Sequence, residues 1–250
     1  MGLTETLMLL GVVALATYAQ TITGFAFGLI LMGSAVLLNL APVAMVAILI
    51  SILSLFNCFV ALYRNYGNLD RQMVVLCSVS GFFTLILGVW ALNVLSEHYV
   101  HWLQIMLGVA IILSSLMLIF RPSPQTVRSG PGSFLFFGGL SGFMGGMFST
   151  SGPPLVFHFY RQPVAQRVIR DSLLLIFSIN SVQRIAVVAW LGDLALDILL
   201  IALTAIPVVL GFTWLGRRFP PPVSDHTLRR VAFVLLLLSG LSLCLSALLS

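Results

Sequence analysis

The sequence predicts an all-α polytopic membrane protein with two homologous halves arranged as an inverted repeat. The prediction rests on a composition too poor in charge for a water-facing surface, on apolar runs of membrane-spanning length, and on a repeated pattern of Gly, Asn and Arg. Hydrophobic residues fill 60% of the 250 positions and charged residues 8%, with mean hydropathy +1.11. Soluble domains carry roughly 25% charged residues, so this composition fits a lipid environment.

Several classes of protein are excluded by the same composition. The net charge of +5 comes from arginines that stand singly or in pairs between apolar runs, which is not the basic tract of a nucleic-acid-binding protein. Cys58, Cys77 and Cys244 lie inside apolar runs without metal-ligand spacing, so we expect neither a metal site nor disulfides. Glu5 precedes the first apolar run and no basic residue does, which predicts that no signal peptide is present.

Six apolar runs have the length of ordinary spanning helices, and they lack the period-2 alternation of barrel strands. They are Ala41–Tyr63, Met73–Leu95, Val100–Phe120, Ser172–Trp190, Leu194–Leu215 and Leu228–Leu249. Two further segments, Leu7–Leu38 and Ser133–Tyr160, are longer and carry Gly and hydroxyl residues at their centres. Gly and Pro weaken a helix, and the second centre holds the adjacent Pro153 and Pro154. We therefore expect each long segment to be a re-entrant or broken helical hairpin.

The two halves of the chain match one another. Gly24 corresponds to Gly142 and Asn57 to Asn180, at offsets of 118 and 123 residues. A buried Asn is costly in a membrane helix, so the Asn pair argues most strongly against a chance match between Leu-rich stretches. A repeat of one hairpin followed by three spans accounts for the whole pattern.

The distribution of arginines predicts the orientation of the halves. If each Gly-rich segment enters and leaves on the same side, eleven of the twelve basic residues lie in the cytoplasm, as the positive-inside rule requires. Each half then has an odd number of spans, so the halves face opposite ways, as in many secondary transporters. The predicted organisation is a first transmembrane repeat over 1–120, a cytoplasmic linker over 121–132 and a second repeat over 133–250.

The hairpin centres are the first candidates for a binding site. Irregular backbone at membrane depth survives only where protein buries it or a water-filled cavity solvates it. Half-helix N-termini carry partial positive charge and free N–H groups, so they can bind an anion, and glycine permits close approach. The candidate substrate-binding residues are Thr21, Thr23, Gly24, Phe25 and Gly28 in the first centre, and Gly142, Gly145, Gly146, Ser149, Thr150 and Ser151 in the second. The alternative is helix packing through small residues.

Three polar residues on the following helices complete the candidate site. Asn57 and Asn180 occupy matching positions, where they contact substrate or make interhelical hydrogen bonds. Arg184 lies one turn after Asn180 and is the one arginine inside an apolar run. Intramembrane charge indicates a functional site, with snorkelling toward the outer interface as the alternative. We expect Arg184 to face a cavity and attract an anion.

Both hairpin centres resemble motifs of the TauE/SafE family of sulfite exporters. The resemblance rests on Thr23-Gly24-Phe25-Ala26-Phe27-Gly28 followed by Pro42, and on Gly139-Leu140-Ser141-Gly142-Phe143-Met144-Gly145-Gly146 followed by Pro153. It extends to the length and two-half layout, and so covers essentially the whole chain. The resemblance implies export of small anions such as sulfite, organosulfonates or related carboxylates. Met147-Phe148-Ser149 stands where the family is often richer in glycine, a departure that bears on the substrate rather than the fold.

Two other functions compete with a transporter. Gly139-Leu140-Ser141-Gly142 matches the pattern around the nucleophile of rhomboid proteases, so an intramembrane serine protease using Ser141 is one alternative. That chemistry needs a His base beside the serine, and no histidine lies in the middle of a predicted span; all four lie near predicted helix ends. An anion channel is the other alternative.

The sequence thus favours a secondary transporter, not an enzyme, working by alternating access at a midplane site in the bacterial inner membrane. The expected partners are a small anionic substrate and the lipid bilayer, with no nucleic acid; a homodimer is compatible with the sequence. No cofactor is expected, and coupling to protons or sodium stays open.

Overall fold

The computed structural model describes residues 2–23, 25–62, 69–119, 125–219, 234, 236–238 and 240–245. All regular structure in this part of the chain is helical, as the sequence predicts. The helices are α1 (Leu3–Thr23), α2 (Phe27–Leu37), α3 (Val43–Leu62), α4 (Arg71–His98), α5 (Val100–Ile119), α6 (Pro131–Phe148), α7 (Gly152–Phe159), α8 (Gln166–Leu191) and α9 (Leu196–Arg218). The described residues of 234–245 are helical as well.

Five of the described helices, α3, α4, α5, α8 and α9, are long and apolar enough to cross a membrane. They coincide with five of the six predicted spans, so the prediction of a multi-pass membrane protein is confirmed. Helix α8 begins at Gln166 rather than at Ser172, because its polar first turns continue the helix beyond the apolar run. The sixth predicted span, Leu228–Leu249, lies largely outside the described residues.

The two Gly-rich segments are broken helices, as predicted. The first break separates α1 from α2, and the second separates α6 from α7. Helix α7 folds back on α6: the Ser141 hydroxyl donates to the Ser151 carbonyl at 2.6 Å. Further along, the His158 ring stacks on Phe137 with ring centroids 4.4 Å apart. The second segment is therefore a hairpin. Helix α1 likewise packs against α2.

Both ends of the second hairpin are tied together at its base. The Gln125 amide donates to the Arg161 carbonyl at 2.8 Å, and the Ser129 amide donates to Gln162 Oε1 at 3.0 Å. The chain therefore enters and leaves this hairpin at one place, as the sequence-based prediction requires.

Helices α4 and α6 form the closest helix pair, and glycine makes it possible. A Cβ on Gly138 would lie 2.5 Å from Cys77 Cα, and one on Gly142 would lie 2.5 Å from Gly81 Cα. About one turn beyond Gly142, a Cβ on Gly146 would meet the Leu85 carbonyl. Such contact between backbones is the small-residue packing typical of membrane helices. The contacts advance together along both helices, so α4 and α6 run in the same direction.

The direction of α8 relative to α3 and α4 follows from paired contacts. On α3, Ser51 bonds to Arg184 of α8, while Cys58 lies beside Ser178, so α3 and α8 are antiparallel. At one end of α4 the Asp70 amide donates to the Ser172 hydroxyl at 3.1 Å. At the other end Asn93 Nδ2 donates to Asp193 Oδ2 at 2.8 Å, so α4 and α8 are parallel.

Candidate functional site

A small cavity lies where the two helix breaks meet. Its free volume is about 30 Å³, enough for a water or two. The lining residues are Gln20, Phe25, Gly28, Leu29, Ser54, Ser149, Thr150, Ser151, Gly152, Pro153, Phe177 and Ser181. Hydroxyl and amide groups dominate the polar part of this lining, and none of the lining side chains is charged. Most of it comes from the two breaks, with α1, α3 and α8 supplying the rest.

The two breaks touch each other at this cavity. A Cβ on Gly28, in the first turn of α2, would lie 2.8 Å from the Ser149 carbonyl oxygen. On the other side, a Cβ on Gly152 would lie 3.5 Å from the Phe25 carbonyl. Glycine at position 28 is therefore required by the close approach of the second break.

Ser149 ends α6 in a left-handed conformation with φ 54° and ψ 26°. This region usually takes glycine at a helix C-terminus, since a Cβ there is costly. The serine keeps a hydroxyl at this turn: Ser149 Oγ donates to the Ala47 carbonyl of α3 at 2.6 Å. A strained backbone held by a hydrogen bond at a cavity is typical of functional sites.

Neither of the half-helices that begin at the breaks has a side-chain cap. Helix α2 follows Ala26 and α7 follows Ser151, and no side chain accepts a bond from the first N–H groups of either helix. Within the described chain, no hydrogen bond uses the amides of Thr150, Ser151 or Gly152. Uncapped N-termini carry partial positive charge and free N–H groups, so both breaks contribute positive potential beside the cavity.

Arg184 lies directly behind the second break. Its side chain is 2% exposed, and its Nε donates to the Gly146 carbonyl near the C-terminus of α6 at 3.0 Å. Its Nη1 donates to Ser51 Oγ at 3.4 Å, and Ser51 Oγ lies 2.8 Å from Ser149 Oγ. Among the described residues, no carboxylate lies within ion-pair distance of Arg184. The guanidinium is thus an unpaired cation linked to the cavity through two hydroxyls.

This position bears both on the expectation that Arg184 faces a cavity and on the snorkelling alternative. The side chain does not snorkel to the outer interface, because it is enclosed by protein and bonded to α3 and α6. It also does not line the cavity directly, because Ser51 and Ser149 stand between them.

The two matched asparagines differ in their surroundings. Asn57 accepts from Gln20 Nε2 and donates to Thr213 Oγ1, both at 3.4 Å, so it joins α1, α3 and α9. Asn180 is 5% exposed, and its Oδ1 is buried near Gly81 without a hydrogen-bond partner. Neither side chain lines the cavity. The hydrogen-bonding interpretation therefore fits Asn57.

The other candidates fall into three groups. Those that line the cavity are Phe25, Gly28, Ser149, Thr150 and Ser151. Four candidates lie at helix contacts instead. Gly142 and Gly146 pack on α4, and Gly145 faces the Ser151 hydroxyl. The Thr21 hydroxyl donates to the Thr17 carbonyl within α1. Thr23 is the last residue of α1, and Gly24 lies outside the described residues. For Gly142 and Gly146 the structure favours the packing alternative.

Several lining residues were not among the candidates. Gln20 directly precedes the candidate Thr21 in the first Gly-rich centre, Ser54 lies one turn before Asn57, and Ser181 follows Asn180. Helical spacing places each of them next to a predicted residue, and that signal could have found them. Gly152, Pro153 and Phe177 carry no comparable polar signal.

Ser141 is not arranged as a nucleophile. Its hydroxyl is buried and donates to the Ser151 carbonyl, which stabilises the hairpin turn. Of the described histidines, none is hydrogen-bonded to it; His158 instead contacts Ser133 Oγ at 3.4 Å. In the part of the chain that the structure describes, the protease alternative therefore lacks its base.

The chain is similar in sequence to known proteins of one family. The family model for the sulfite exporter TauE/SafE matches residues 9–243. The chain is 43% identical, over 244 residues, to the probable sulfite/organosulfonate exporter TauE of Cupriavidus necator, covering 96% of this chain and 95% of that protein. No solved structure matches the chain.

Proposed function

Because the chain belongs to the TauE/SafE family of sulfite exporters, we propose that it exports sulfite, organosulfonates or related carboxylates across the bacterial inner membrane. Transport proceeds by alternating access, and the substrate binds at the cavity between the two helix breaks. The protein is a membrane transporter and not an enzyme.

One observation carries this proposal: two uncapped half-helix N-termini, those of α2 and α7, meet at one cavity. A sulfonate or carboxylate presents several acceptor oxygens to such N–H groups, and the hydroxyls of Ser54 and Ser181, which also line the cavity, can donate to the remainder. Prolines at the second and third positions of α7 remove two donors, so Gly152 and the residues before it must supply the backbone N–H groups on that side.

The size of the cavity supports alternating access. A free volume of about 30 Å³ is less than an oxyanion with four or more heavy atoms requires. The breaks must therefore separate for substrate to enter. The antiparallel relation of α3 and α8, which occupy equivalent places in the two halves, is what an inverted repeat requires. In such a repeat, one half rocks against the other around a fixed site.

Purified protein in liposomes tests the proposal. Liposomes loaded with sulfite or an alkanesulfonate should release it faster than protein-free liposomes, and release should saturate with concentration. Unlabelled anion inside the liposomes should accelerate the entry of labelled anion from outside. The reason is that a carrier's binding site returns across the membrane faster when it is loaded than when it is empty. Flux that neither saturates nor shows this counterflow would favour the channel, and no flux of any of these anions would refute the proposal. Imposed proton or sodium gradients identify the coupling ion.

A further inference from the structure

We infer that the end of α1 is the gate that opens the cavity toward the cytoplasm, and that the first hairpin is the part of the carrier that moves. The inference rests on the proposed function and goes beyond it. Its starting point is the last turn of α1, where two adjacent residues have different surroundings. Gln20 is 3% exposed and lines the cavity, whereas Thr21 contacts the start of α8 and the end of α9.

Side chains join the end of α1 to these two helices. The Tyr18 hydroxyl donates to the carbonyl of Phe219, the residue that follows α9, at 3.1 Å. A Cβ on Gly216 would lie 3.1 Å from Thr21 Cβ. From α8, Arg170 Nη2 donates to the Thr21 carbonyl at 3.5 Å. The predicted orientation places the start of α8 and the end of α9 on the cytoplasmic side, so these contacts close the cavity toward the cytoplasm.

The gate contacts can open without a large loss of packing. Arg170 and Phe219 are exposed and Tyr18 is half-buried, so water can replace both hydrogen bonds when α1 withdraws. Because Gln20 and Thr21 are adjacent, a shift of this one turn would connect the cavity with the cytoplasmic surface. The shift would also release the exposed Arg170 guanidinium to meet an arriving anion.

The second hairpin, in contrast, is fixed to α4. A Cβ on Gly142 would lie 2.5 Å from Gly81 Cα, and the Thr84 hydroxyl donates to the Gly139 carbonyl at 2.7 Å. Water cannot enter such contact between backbones unless the two helices separate over several turns. Helices α4 and α6 should therefore move as one body, and separation of the breaks falls to the first hairpin.

A reversible disulfide across the gate tests the inference. In a variant lacking the three native cysteines, Thr21→Cys with Gly216→Cys should cross-link on oxidation, because the two Cβ positions lie near the roughly 3.5–4.5 Å that a disulfide requires. Methanesulfonate flux in liposomes should then fall about tenfold or more, and dithiothreitol should restore it, since the carrier cannot cycle with its gate locked. Sulfite is unsuitable as the probe, because it cleaves disulfides.

Thr84→Cys with Gly139→Cys is the matched control. A Cβ on Gly139 would lie 3.5 Å from Thr84 Cγ2, so this pair should cross-link α4 to α6 without loss of flux. Mass spectrometry measures both cross-links. A gate variant that does not cross-link, or that transports fully when cross-linked, would overturn the inference while leaving the transporter intact. Loss of flux through the control disulfide would overturn the assignment of the first hairpin as the moving part.

Thiol reactivity decides the question if the reduced gate variant carries no methanesulfonate. Ser181→Cys places a thiol in the cavity lining, where it should react with a thiol reagent when the gate opens. Tyr18→Phe removes the hydrogen bond to Phe219 without adding volume, so it should raise that reaction rate several-fold. An unchanged rate would overturn the inference. The expected cross-link and reactivity, in a parent protein that transports none of the proposed anions, would support the gate and refute the proposed function.

Discussion

The hydroxyl oxygens of Ser51 and Ser149 lie 2.8 Å apart, although the two residues are 98 positions apart in the chain. This contact joins α3 of the first half to the helix break of the second. It also places the Arg184 guanidinium one hydroxyl behind a cavity-lining residue. The strained turn at Ser149, the unpaired cation and the cavity are thus parts of one connected group.

Removing these hydroxyls one at a time and together should reveal their coupling. Ser51→Ala and Ser149→Ala should each weaken anion binding several-fold, and the double variant should weaken it less than the two effects combined. The expected coupling is about 0.5–1.5 kcal/mol, the usual contribution of one hydrogen bond. Alanine keeps the Cβ at the left-handed position of Ser149, so the comparison isolates the hydroxyl. Calorimetric affinities of the four proteins test this; strictly additive effects would mean that the contact does not bear on the site.

Arg184 should determine anion affinity. Arg184→Gln should weaken binding about tenfold or more, because roughly 1.5–3 kcal/mol of charge-assisted interaction is lost. Arg184→Lys should retain part of the affinity, since the charge remains while the geometry that reaches both Gly146 and Ser51 is lost. Arg167→Gln removes an equal charge from an exposed position of the same helix and should leave affinity unchanged. If Arg184→Gln binds like the parent protein, the site depends on backbone dipoles alone.

Gly28→Ala should abolish transport while the protein still inserts into the membrane. The added Cβ would lie 2.8 Å from the Ser149 carbonyl, so the two breaks could not approach as they do here. Gly211→Ala in α9 is the matched control, because a Cβ there would contact nothing within 4 Å. Flux in liposomes and the amount of protein in the membrane are the measurements. Full transport by Gly28→Ala would show that the contact between the breaks is dispensable.

Gly142→Ala should act on stability. Its Cβ would collide with the backbone of Gly81 on α4, and overpacking of a close contact costs about 1–3 kcal/mol. Gly139→Ala, on the same helix, meets only Thr84 Cγ2 at 3.5 Å and should be tolerated, since alanine favours helix by up to about 1 kcal/mol. Thermal unfolding in detergent should show a lower midpoint for the first variant only. Equal midpoints would argue against tight α4–α6 packing.

Cysteine labelling can test the predicted orientation. In a variant lacking the three native cysteines, Gln166→Cys and Thr126→Cys should be protected from an impermeant thiol reagent applied to intact cells. Asn93→Cys and Leu196→Cys should react.

The structure supports this assignment through α4 and α8, which are parallel. Asn93 and Asp193 are hydrogen-bonded at one end of these two helices, and Asp70 and Ser172 at the other, so each pair should lie on one side of the membrane. Labelling at position 166 from outside would contradict both the hairpin topology and the inverted repeat.

The sequence by itself determined the membrane environment, the helical class, five spans and the two helix breaks. These properties depend on local composition: apolar runs of about 20 residues must be helices in lipid, and Gly and Pro weaken helices wherever they stand. It also identified Gly28, Ser149, Thr150 and Ser151 as candidates that the structure places in the cavity lining. Glycines and hydroxyls concentrated at a helix break indicate such a position, because irregular backbone at membrane depth must be buried by protein or solvated in a cavity.

The tertiary structure alone decided which polar residues meet. Gly142 and Gly146 share the motif that marks the second break, yet they pack on α4, because a helix presents residues three or four positions apart to one neighbour and not to the turn. Gln20, Ser54 and Ser181 line the cavity because three other helices bring them there. Arg184 ends behind Ser149 rather than in the cavity, since α8 crosses α3 at Ser51, and no local pattern encodes where two helices cross.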